Sequence, residues 1–196
     1  MSASAASAVS LVSVPAVPVA VGFSGSRSLA PAWAPVVRSL VSSLPPAVPV
    51  LVGDAAGADA FVRGARPRAR VFAVAGVRSA SALVARSVAL VRALVGFGPG
   101  ACLVAFAAAP CPAGVVPAGG WRSGASPSGT WSSAALAGGL GAAVVVAWCA
   151  PGTPVLPAWP RGAWSPLSSL PWGGAAPCLL FSWSPAVASG GQLALF

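Results

Sequence analysis

Six residue types are absent from this 196-residue chain: Lys, His, Glu, Asn, Ile and Tyr. Every codon for these residues contains adenine, which indicates a coding strand depleted of adenine. Such a bias replaces Ile with Val, Lys with Arg, and many polar residues with Ala or Ser. The hydrophobic fraction of 57% is therefore no evidence for a membrane protein. Polar residues that persist against the bias are a better guide to chemistry than the average composition.

The same absences remove most of the usual catalytic groups. Without His, Glu, Lys or Tyr, proton transfer is left to Asp54, Asp59 and the cysteines, so general acid–base catalysis is poorly supplied. A Ser or Cys nucleophile would have no histidine to activate it. The composition therefore favours a binding protein over an enzyme.

Zinc sites and disulfides are also unexpected. The four cysteines, Cys102, Cys111, Cys149 and Cys178, form no C-x-x-C pair, and there is no histidine to complete a zinc site. We expect free, buried thiols in a reducing cytoplasm, with no metal and no resident cofactor.

The charge balance has two explanations. Eleven basic residues against two acidic ones give a formal charge of +9, which favours polyanionic partners such as nucleic acid or nucleotides. The loss of Glu codons would also raise the charge without any selection for binding. Charge alone does not decide between these explanations.

Two apolar stretches resemble targeting or membrane segments only superficially. Residues 1–20 lack the basic start of a signal peptide and contain Pro15 and Pro18, so we do not expect export. Residues 131–150 are uncharged and long enough to span a bilayer, but Gly138, Gly139 and Gly141 interrupt them. A helix, a turn and a strand fit this stretch better. We expect a cytoplasmic protein without a membrane partner, and leave a homo-oligomer open.

Short β-branched runs alternate with Ala, Leu and Arg stretches of helical spacing. The pattern predicts strands at residues 17–23, 48–53, 70–74, 101–106 and 142–148, and helices at 34–43, 58–63, 81–95 and 129–138. Alternation of continuously apolar strands with helices predicts an α/β protein. We expect a Rossmann-like, doubly wound parallel sheet within residues 1–150.

Residues 151–191 differ from this domain because they are rich in Pro, Gly, Ser and Trp. A purely disordered linker would hold few aromatic residues. We therefore expect the extension to pack partly on the domain, with residues 179–183 as a candidate strand. The alternative is a sticky low-complexity tail.

The candidate ligand site lies in turns at the carboxyl ends of predicted strands, where open parallel sheets bind ligands. In the first turn, small residues let backbone amides approach a phosphate that Arg27 can bind. The third turn, residues 126–130, leads into a helix N-terminus that can bind an anion. The residues are Ser24, Gly25, Ser26 and Arg27 in the first turn, Asp54, Gly57 and Asp59 in the second, and Ser128, Gly129 and Thr130 in the third. Alternatively, the glycines serve only the strand-to-helix geometry.

These motifs, taken in order, resemble the SLOG superfamily, the Rossmann-like group that includes the DNA-processing protein A family and the cytokinin-activating LOG proteins. The nearest branch looks like the small YspA-like proteins. The resemblance covers about residues 17–146 and is carried by Gly25-Ser26-Arg27, by residues 54–59, by Arg86-Ser87, by residues 103–106 and by Ser128-Gly129-Thr130. It implies a nucleotide-binding domain whose ligand residues include Arg86.

One departure from that family bears on catalysis. In LOG enzymes a Glu follows the Gly-Thr turn by three residues and serves the cleavage of a nucleoside monophosphate. Ser133 stands at this position here, and the chain has no Glu. The departure weakens the expectation of a phosphoribohydrolase activity.

The last five residues resemble the short peptide with which bacterial replication and repair proteins bind the DNA sliding clamp. Gln192 is the only glutamine in the chain, and it is followed by Leu193, Leu195 and Phe196. After the flexible Gly190-Gly191, the amide can make hydrogen bonds and the last apolar side chains can fill a preformed pocket. The alternative is an ordinary apolar C-terminus.

Two functional classes remain open. In the first, the domain binds a nucleotide or single-stranded nucleic acid, and the tail recruits it to the sliding clamp during DNA replication, repair or processing. In the second, the protein hydrolyses a nucleotide derivative, with Asp54 or Asp59 as the working carboxylate.

Overall fold

A computed structural model describes residues 17–122, 128–170, 172 and 175–185. Its strands are β1 (Ala20–Gly25), β2 (Val50–Gly53), β3 (Arg70–Phe72), β4 (Ala101–Ala107), β5 (Ala143–Trp148), β6 (Gly162–Ser169) and β7 (Ala175–Pro185). Its α-helices are α1 (Ala34–Ser42), α2 (Ala58–Ala65), α3 (Ala80–Val95) and α4 (Gly129–Gly139). A short 3-10 helix, Pro31–Trp33, precedes α1.

The strands form one sheet in the order β3-β2-β1-β4-β5-β7-β6. Pairing is parallel from β3 through β5, which confirms the predicted α/β, Rossmann-like fold. The parallel arrangement does not extend to the whole sheet, because β7 is antiparallel to β5 and β6 is antiparallel to β7. A short connection such as that between β6 and β7 can join only antiparallel neighbours.

Helices cover both faces of the parallel strands. On one face, α1 and α2 pack on alternate strand residues such as Phe23, Val104 and Val145. On the other, α3 and α4 pack on the intervening residues, including Leu103 and Val144. All seven residues of β4 are buried as a result. This double burial explains why the central strands are apolar without alternation.

The strand ends differ from the predicted ends for identifiable reasons. β1 begins at Ala20, and the Val19 amide before it still donates to the Gly100 carbonyl at 3.2 Å, whereas Pro18 has no amide hydrogen to extend the ladder. β2 begins at Val50 directly after Pro49, for the same reason. β3 ends at Phe72, and the Val74 amide donates instead to Oδ2 of Asp54 at 3.2 Å.

The C-terminal extension joins the sheet instead of only packing on it. β7 contains the strand predicted at residues 179–183, whereas β6 was not predicted. A Cβ atom on Gly138 of α4 would lie 2.8 Å from the Trp183 ring, and one on Gly162 would lie 2.5 Å from it. Trp183 therefore fits between two backbone surfaces that have no side chains, and it fastens the extension to α4.

Residues 131–150 fold as α4, a turn at Gly141 with φ of +88°, and β5, as the predicted helix, turn and strand required. Within the described ranges, no helix combines the length and apolar character needed to cross a membrane. The predicted clamp-binding residues, Gln192 to Phe196, lie outside the described residues.

Candidate functional site

The order of the strands creates a crevice between β1 and β4. β2 and β3 lie on one side of β1, and β4 and β5 lie on the other. The connections that follow β1 and β4 therefore diverge, and such a switch point is where open α/β sheets bind ligands. A cleft of about 330 Å³ occupies this position. The turn after β1, the N-terminal half of α3 and the start of α4 line it, together with Trp121.

The turn after β1 is held by its own backbone and by α2. The Ser26 amide donates to the Phe106 carbonyl at 3.3 Å, and the Ala58 amide donates to the Ser26 carbonyl at 3.1 Å. A Cβ atom on Gly57 would lie 2.6 Å from the Arg27 carbonyl oxygen, so α2 can approach the turn only through a glycine. Arg27 is exposed, lines the cleft, and makes no ion pair with any described residue.

The start of α4 directs backbone donors toward the same cleft. Ser128 is the N-cap, and its hydroxyl accepts from the Trp131 amide at 3.4 Å. Gly129 and Thr130 open the helix and line the cleft. Because the first amides of a helix lack intrahelical partners and carry the positive end of its dipole, this end of α4 favours an anion.

Ser132 adds an unsatisfied hydroxyl to this wall. The residue is 1% exposed and lines the cleft. Its Oγ has no hydrogen-bond partner among the described residues. A buried hydroxyl without a partner is costly, and this oxygen has almost no surface that faces the cleft.

Arginine side chains bind the carboxylates and the backbone carbonyls of the turn after β2. Nη1 of Arg86 lies 2.9 Å from Oδ1 of Asp54 and 3.5 Å from Oδ2 of Asp59, while Arg78 lies 2.8 Å from Oδ2 of Asp54. Arg63 donates to the carbonyls of Gly53 and Ala55 at 2.6 and 3.1 Å. The side-chain carboxylates of Asp54 and Asp59 are thereby paired with guanidinium groups of the same chain.

Gly53 is required by this ion-pair cluster. A Cβ atom at this position would lie against the Asp59 carboxylate and 2.8 Å from Nη1 of Arg86. Below the cleft, a second cavity of about 10 Å³ is lined by Ser24, Gly53, Asp59, Arg86 and Ser133, among others. This is about the space that one water molecule needs. Asp59 therefore borders a water-sized space and not the main cleft.

The two carboxyl groups have pKa values shifted in opposite directions. Burial by itself would raise the pKa of Asp54, but hydrogen bonds from Arg86 and the Val74 amide, with the charges of Arg78 and Arg86, lower it below 3.8. Burial raises the pKa of Asp59 above 3.8, although Arg86 and the Ala55 amide oppose the shift. The difference arises because Asp59 is the more deeply buried of the two and is also repelled by the charge of Asp54, whereas the hydrogen bonds and two guanidinium charges at Asp54 outweigh its burial.

The cysteines offer no nucleophile at this site. All four are free thiols. Burial raises the pKa of Cys102 and Cys149 to about 12 and that of Cys111 and Cys178 to about 11. They are protonated at neutral pH, and the thiolate is the reactive form. Within the described ranges, no three His, Cys, Asp or Glu side chains come together to hold a metal ion.

Most of the predicted ligand residues meet in one place. Those that line the cleft are Ser24, Gly25, Ser26, Arg27, Arg86, Ser128, Gly129 and Thr130. Asp54, Gly57 and Asp59 do not line it, because the carboxylates belong to the ion-pair cluster and Gly57 supports the turn from behind. Ser126 and Pro127 lie outside the described residues.

Several residues of the cleft were not predicted from the sequence. They are Ser28, Ala80, Leu83, Val84, Ser87, Trp121 and Ser132. Ser132 follows Thr130 by two positions, and the rule that a helix N-terminus at a switch point receives a ligand could have included it. Leu83 is one of the regularly spaced residues that predict α3. The spacing does not indicate which end of the helix extends beyond the sheet, so it could not place Leu83 at the cleft.

Comparisons of the chain with protein-family models, with curated proteins and with solved structures found no match.

Proposed function

We propose that this protein binds a nucleotide, free or as part of a single nucleic-acid strand, in the cleft above β1 and β4. The observation that carries the proposal is the convergence of Arg27 and the N-terminus of α4 on one cleft. Each of these groups binds an anionic oxygen. The described lining contains no carboxylate, and Arg27 brings a positive charge that no described ion pair balances, whereas Arg86 is already paired with Asp54 and Asp59.

Binding accounts for this arrangement better than hydrolysis does. A general acid or base must lie within hydrogen-bonding reach of the proton it transfers. Asp54 and Asp59 are turned into the ion-pair cluster and do not line the cleft. Ser133, at the position of the catalytic Glu of LOG enzymes, is 2% exposed and borders the water-sized cavity.

The substitution Arg27→Ala tests the phosphate-binding role. We expect it to weaken nucleotide binding by about 1.5–3 kcal/mol, the contribution of a hydrogen bond to a charged group. Isothermal titration calorimetry with the four ribonucleoside monophosphates measures the change. Since Arg27 is exposed and has no ion-pair partner among the described residues, the melting temperature should stay unchanged.

Arg68→Ala is the matched control. Arg68 is also exposed, but it lies just before β3, at the opposite edge of the sheet from the cleft. The two variants lose the same charge, so a difference between them reports position and not net charge. Equal affinities of the Arg27→Ala variant and the parent for every bound nucleotide would remove Arg27 from the site.

We also propose that the C-terminal peptide, residues 192–196, recruits this nucleotide-binding domain to the DNA sliding clamp. The support is the sequence pattern alone: one glutamine, followed at fixed spacing by Leu193, Leu195 and Phe196. Short terminal peptides with apolar anchors can bind preformed grooves while the domain that carries them stays unchanged. The tail would place the cleft at replicating DNA.

Deletion of Leu195 and Phe196 tests this recruitment. At about 2 kcal/mol or more for each lost anchor, a micromolar contact would weaken beyond easy detection. Fluorescence polarisation with a purified bacterial clamp measures binding, and nucleotide titration of the truncated protein is the control, which we expect to be unchanged. Failure of the full chain to bind the clamp, or equal binding by the truncated chain, would make the terminal pattern a coincidence.

A further inference from the structure

The residues that line the cleft fall into two groups. Serine side chains, Arg27, Arg86 and the first residues of α4 make up its polar wall. Leu83 and Val84 from α3, together with Trp121, make up its apolar wall. A phosphate alone would use only the polar wall, and would leave the apolar wall in contact with water.

The position of α3 explains the apolar wall. Leu90 and Leu94 are buried against β1, where a Cβ atom on Gly22 would lie 2.8 Å from Leu94 and 3.4 Å from Leu90. Leu83 lies on the same helix face, two turns nearer the N-terminus. Because α3 begins at the carboxyl edge of the sheet, its first turns extend beyond β1 and border the cleft.

Trp121 is the one aromatic residue among the described residues that line the cleft. It is half-buried and packs against the apolar cluster on the α3 and α4 face of the sheet. Packing against the core holds the ring in place at the cleft. By contrast, Trp131 and Trp159 are buried, and their indole N–H groups donate to the backbone carbonyls of Ala109 and Val115.

We infer that this apolar wall binds the aromatic base of the ligand, with Trp121 as the stacking surface and the phosphate directed to Arg27 and the start of α4. The inference rests on the proposed nucleotide-binding function and narrows it. The ligand is a phosphate ester that carries its base, and a base-free sugar phosphate would leave the apolar wall uncovered. Trp121 is then a residue that determines specificity.

The size of the cleft suits one nucleotide unit. Its volume of about 330 Å³ lies at the small end of the range of about 300–1,000 Å³ that is usual for small-molecule sites. Base–aromatic stacking tolerates any base, since every base has a π-face. The unit could be a free mononucleotide or the 5′-terminal residue of a strand, and the two share the chemistry that the cleft recognises.

The test compares ligands with and without a base on matched variants. AMP, UMP and ribose 5-phosphate are titrated into the parent protein, Trp121→Ala and Trp121→Phe, with binding measured by calorimetry. We expect Trp121→Ala to weaken AMP binding by about 5- to 150-fold, which is the usual range for loss of one stacked base. Trp121→Phe keeps a ring and should weaken it less. Ribose 5-phosphate should bind the parent and both variants equally, which also shows that the site remains folded.

Several outcomes would overturn the inference. Equal affinity of the parent for AMP and ribose 5-phosphate would remove the base contact and leave the phosphate site in place. An equal loss of both ligands in Trp121→Ala would assign Trp121 a purely structural role. Binding of neither ligand by the parent would remove the proposed function as well.

A further arm of the experiment distinguishes the two sources of the nucleotide. A 5′-phosphorylated single-stranded oligodeoxynucleotide is compared with the matching deoxynucleoside monophosphate in the parent and in Trp121→Ala. Tighter binding of the oligonucleotide, lost in the variant, identifies a strand end as the ligand. Tighter binding of the mononucleotide, also lost in the variant, identifies a free nucleotide. If Trp121→Ala changes neither affinity, the inference is wrong.

Discussion

The turns that follow β1 and β2 lie side by side at one edge of the sheet, and both are rich in small residues, yet their charged side chains have different surroundings. Arg27, in the first turn, is exposed and borders the cleft without an ion-pair partner among the described residues. Asp54 lies in the second turn and pairs with Arg78 and Arg86. Asp59 follows this turn and pairs with Arg86.

The difference comes from the neighbouring elements and not from the turns themselves. α3 packs over β2 and carries Arg86 to both carboxylates, and the loop before α3 adds Arg78. The turn after β1 receives only small groups from α2, namely Gly57 and Ala58. A charged residue is available to a ligand only where no opposite charge reaches it, so two similar turns can have one binding role and one structural role.

The largest expected effect follows from removing the arginine that the two carboxylates share. Arg86→Met should lower the free energy of unfolding by about 3–5 kcal/mol at pH 7, because it leaves Asp59 as a buried charge without its partner. Urea unfolding measures the loss. The loss should shrink as the pH falls toward the pKa of Asp59, since a protonated carboxyl no longer needs the guanidinium.

Arg78→Met is the control within the same cluster. The Arg78 side chain is 58% exposed, against 13% for Arg86. Exposed ion pairs contribute about 0–1 kcal/mol, so this variant should unfold almost as the parent does. Similar losses in the two variants would show that burial does not distinguish the two arginines, and that the turn after β2 is held by something other than Arg86.

A smaller effect should follow from substituting the glycine that joins the two turns. Gly57 has φ of +65°, and a Cβ atom there would meet the carbonyl oxygens of Ser26 and Arg27. We expect Gly57→Ala to lower the free energy of unfolding by about 1–3 kcal/mol through backbone strain. It should also weaken nucleotide binding, because the clash moves the wall of the cleft.

Gly64→Ala, within α2, is the control for Gly57→Ala at the N-cap of the same helix. A Cβ atom on Gly64 meets nothing within 4 Å. The exchange should therefore keep or raise the free energy of unfolding, by up to about 1 kcal/mol from helix propensity, and leave nucleotide affinity unchanged. If Gly57→Ala behaves like Gly64→Ala in both measurements, the two turns are not mechanically coupled.

The fold was predictable from the sequence because parallel strands covered on both faces are continuously apolar. Runs such as residues 144–146 mark these strands directly, and the helices between them have helical spacing. β6 lacked such a pattern, since Gly162–Ser169 contains Ser and Pro in place of β-branched residues. It is a strand because β7 pairs with it and because Trp164 packs against Trp131 and Trp159.

The candidate site was predictable only in part. Parallel topology brings the ends of β1 and β4 to one edge, so the contributions of the first and third turns followed from the predicted fold. The pairing of Asp54 with Arg86 could not be predicted from the fold, because the two residues are 32 positions apart and meet only through the packing of α3. Trp121 lies in an irregular connection with no periodicity, so nothing local indicated that its ring borders the cleft.

The smallest expected effect is a pH dependence that separates the two carboxylates. The folded-state pKa of Asp54 is lowered below 3.8, so its charged form stabilises the fold at neutral pH, and this contribution is lost as the pH falls below 3.8. The pKa of Asp59 is raised above 3.8, so its contribution is present at low pH and is lost as the pH rises through the raised value. Thermal melting of Asp54→Asn, Asp59→Asn and the parent from pH 3 to 7 should show this. The deficit of Asp54→Asn relative to the parent should shrink toward pH 3, and that of Asp59→Asn should grow. Parallel pH profiles for the two variants would mean that the pKa values of Asp54 and Asp59 are shifted in the same direction.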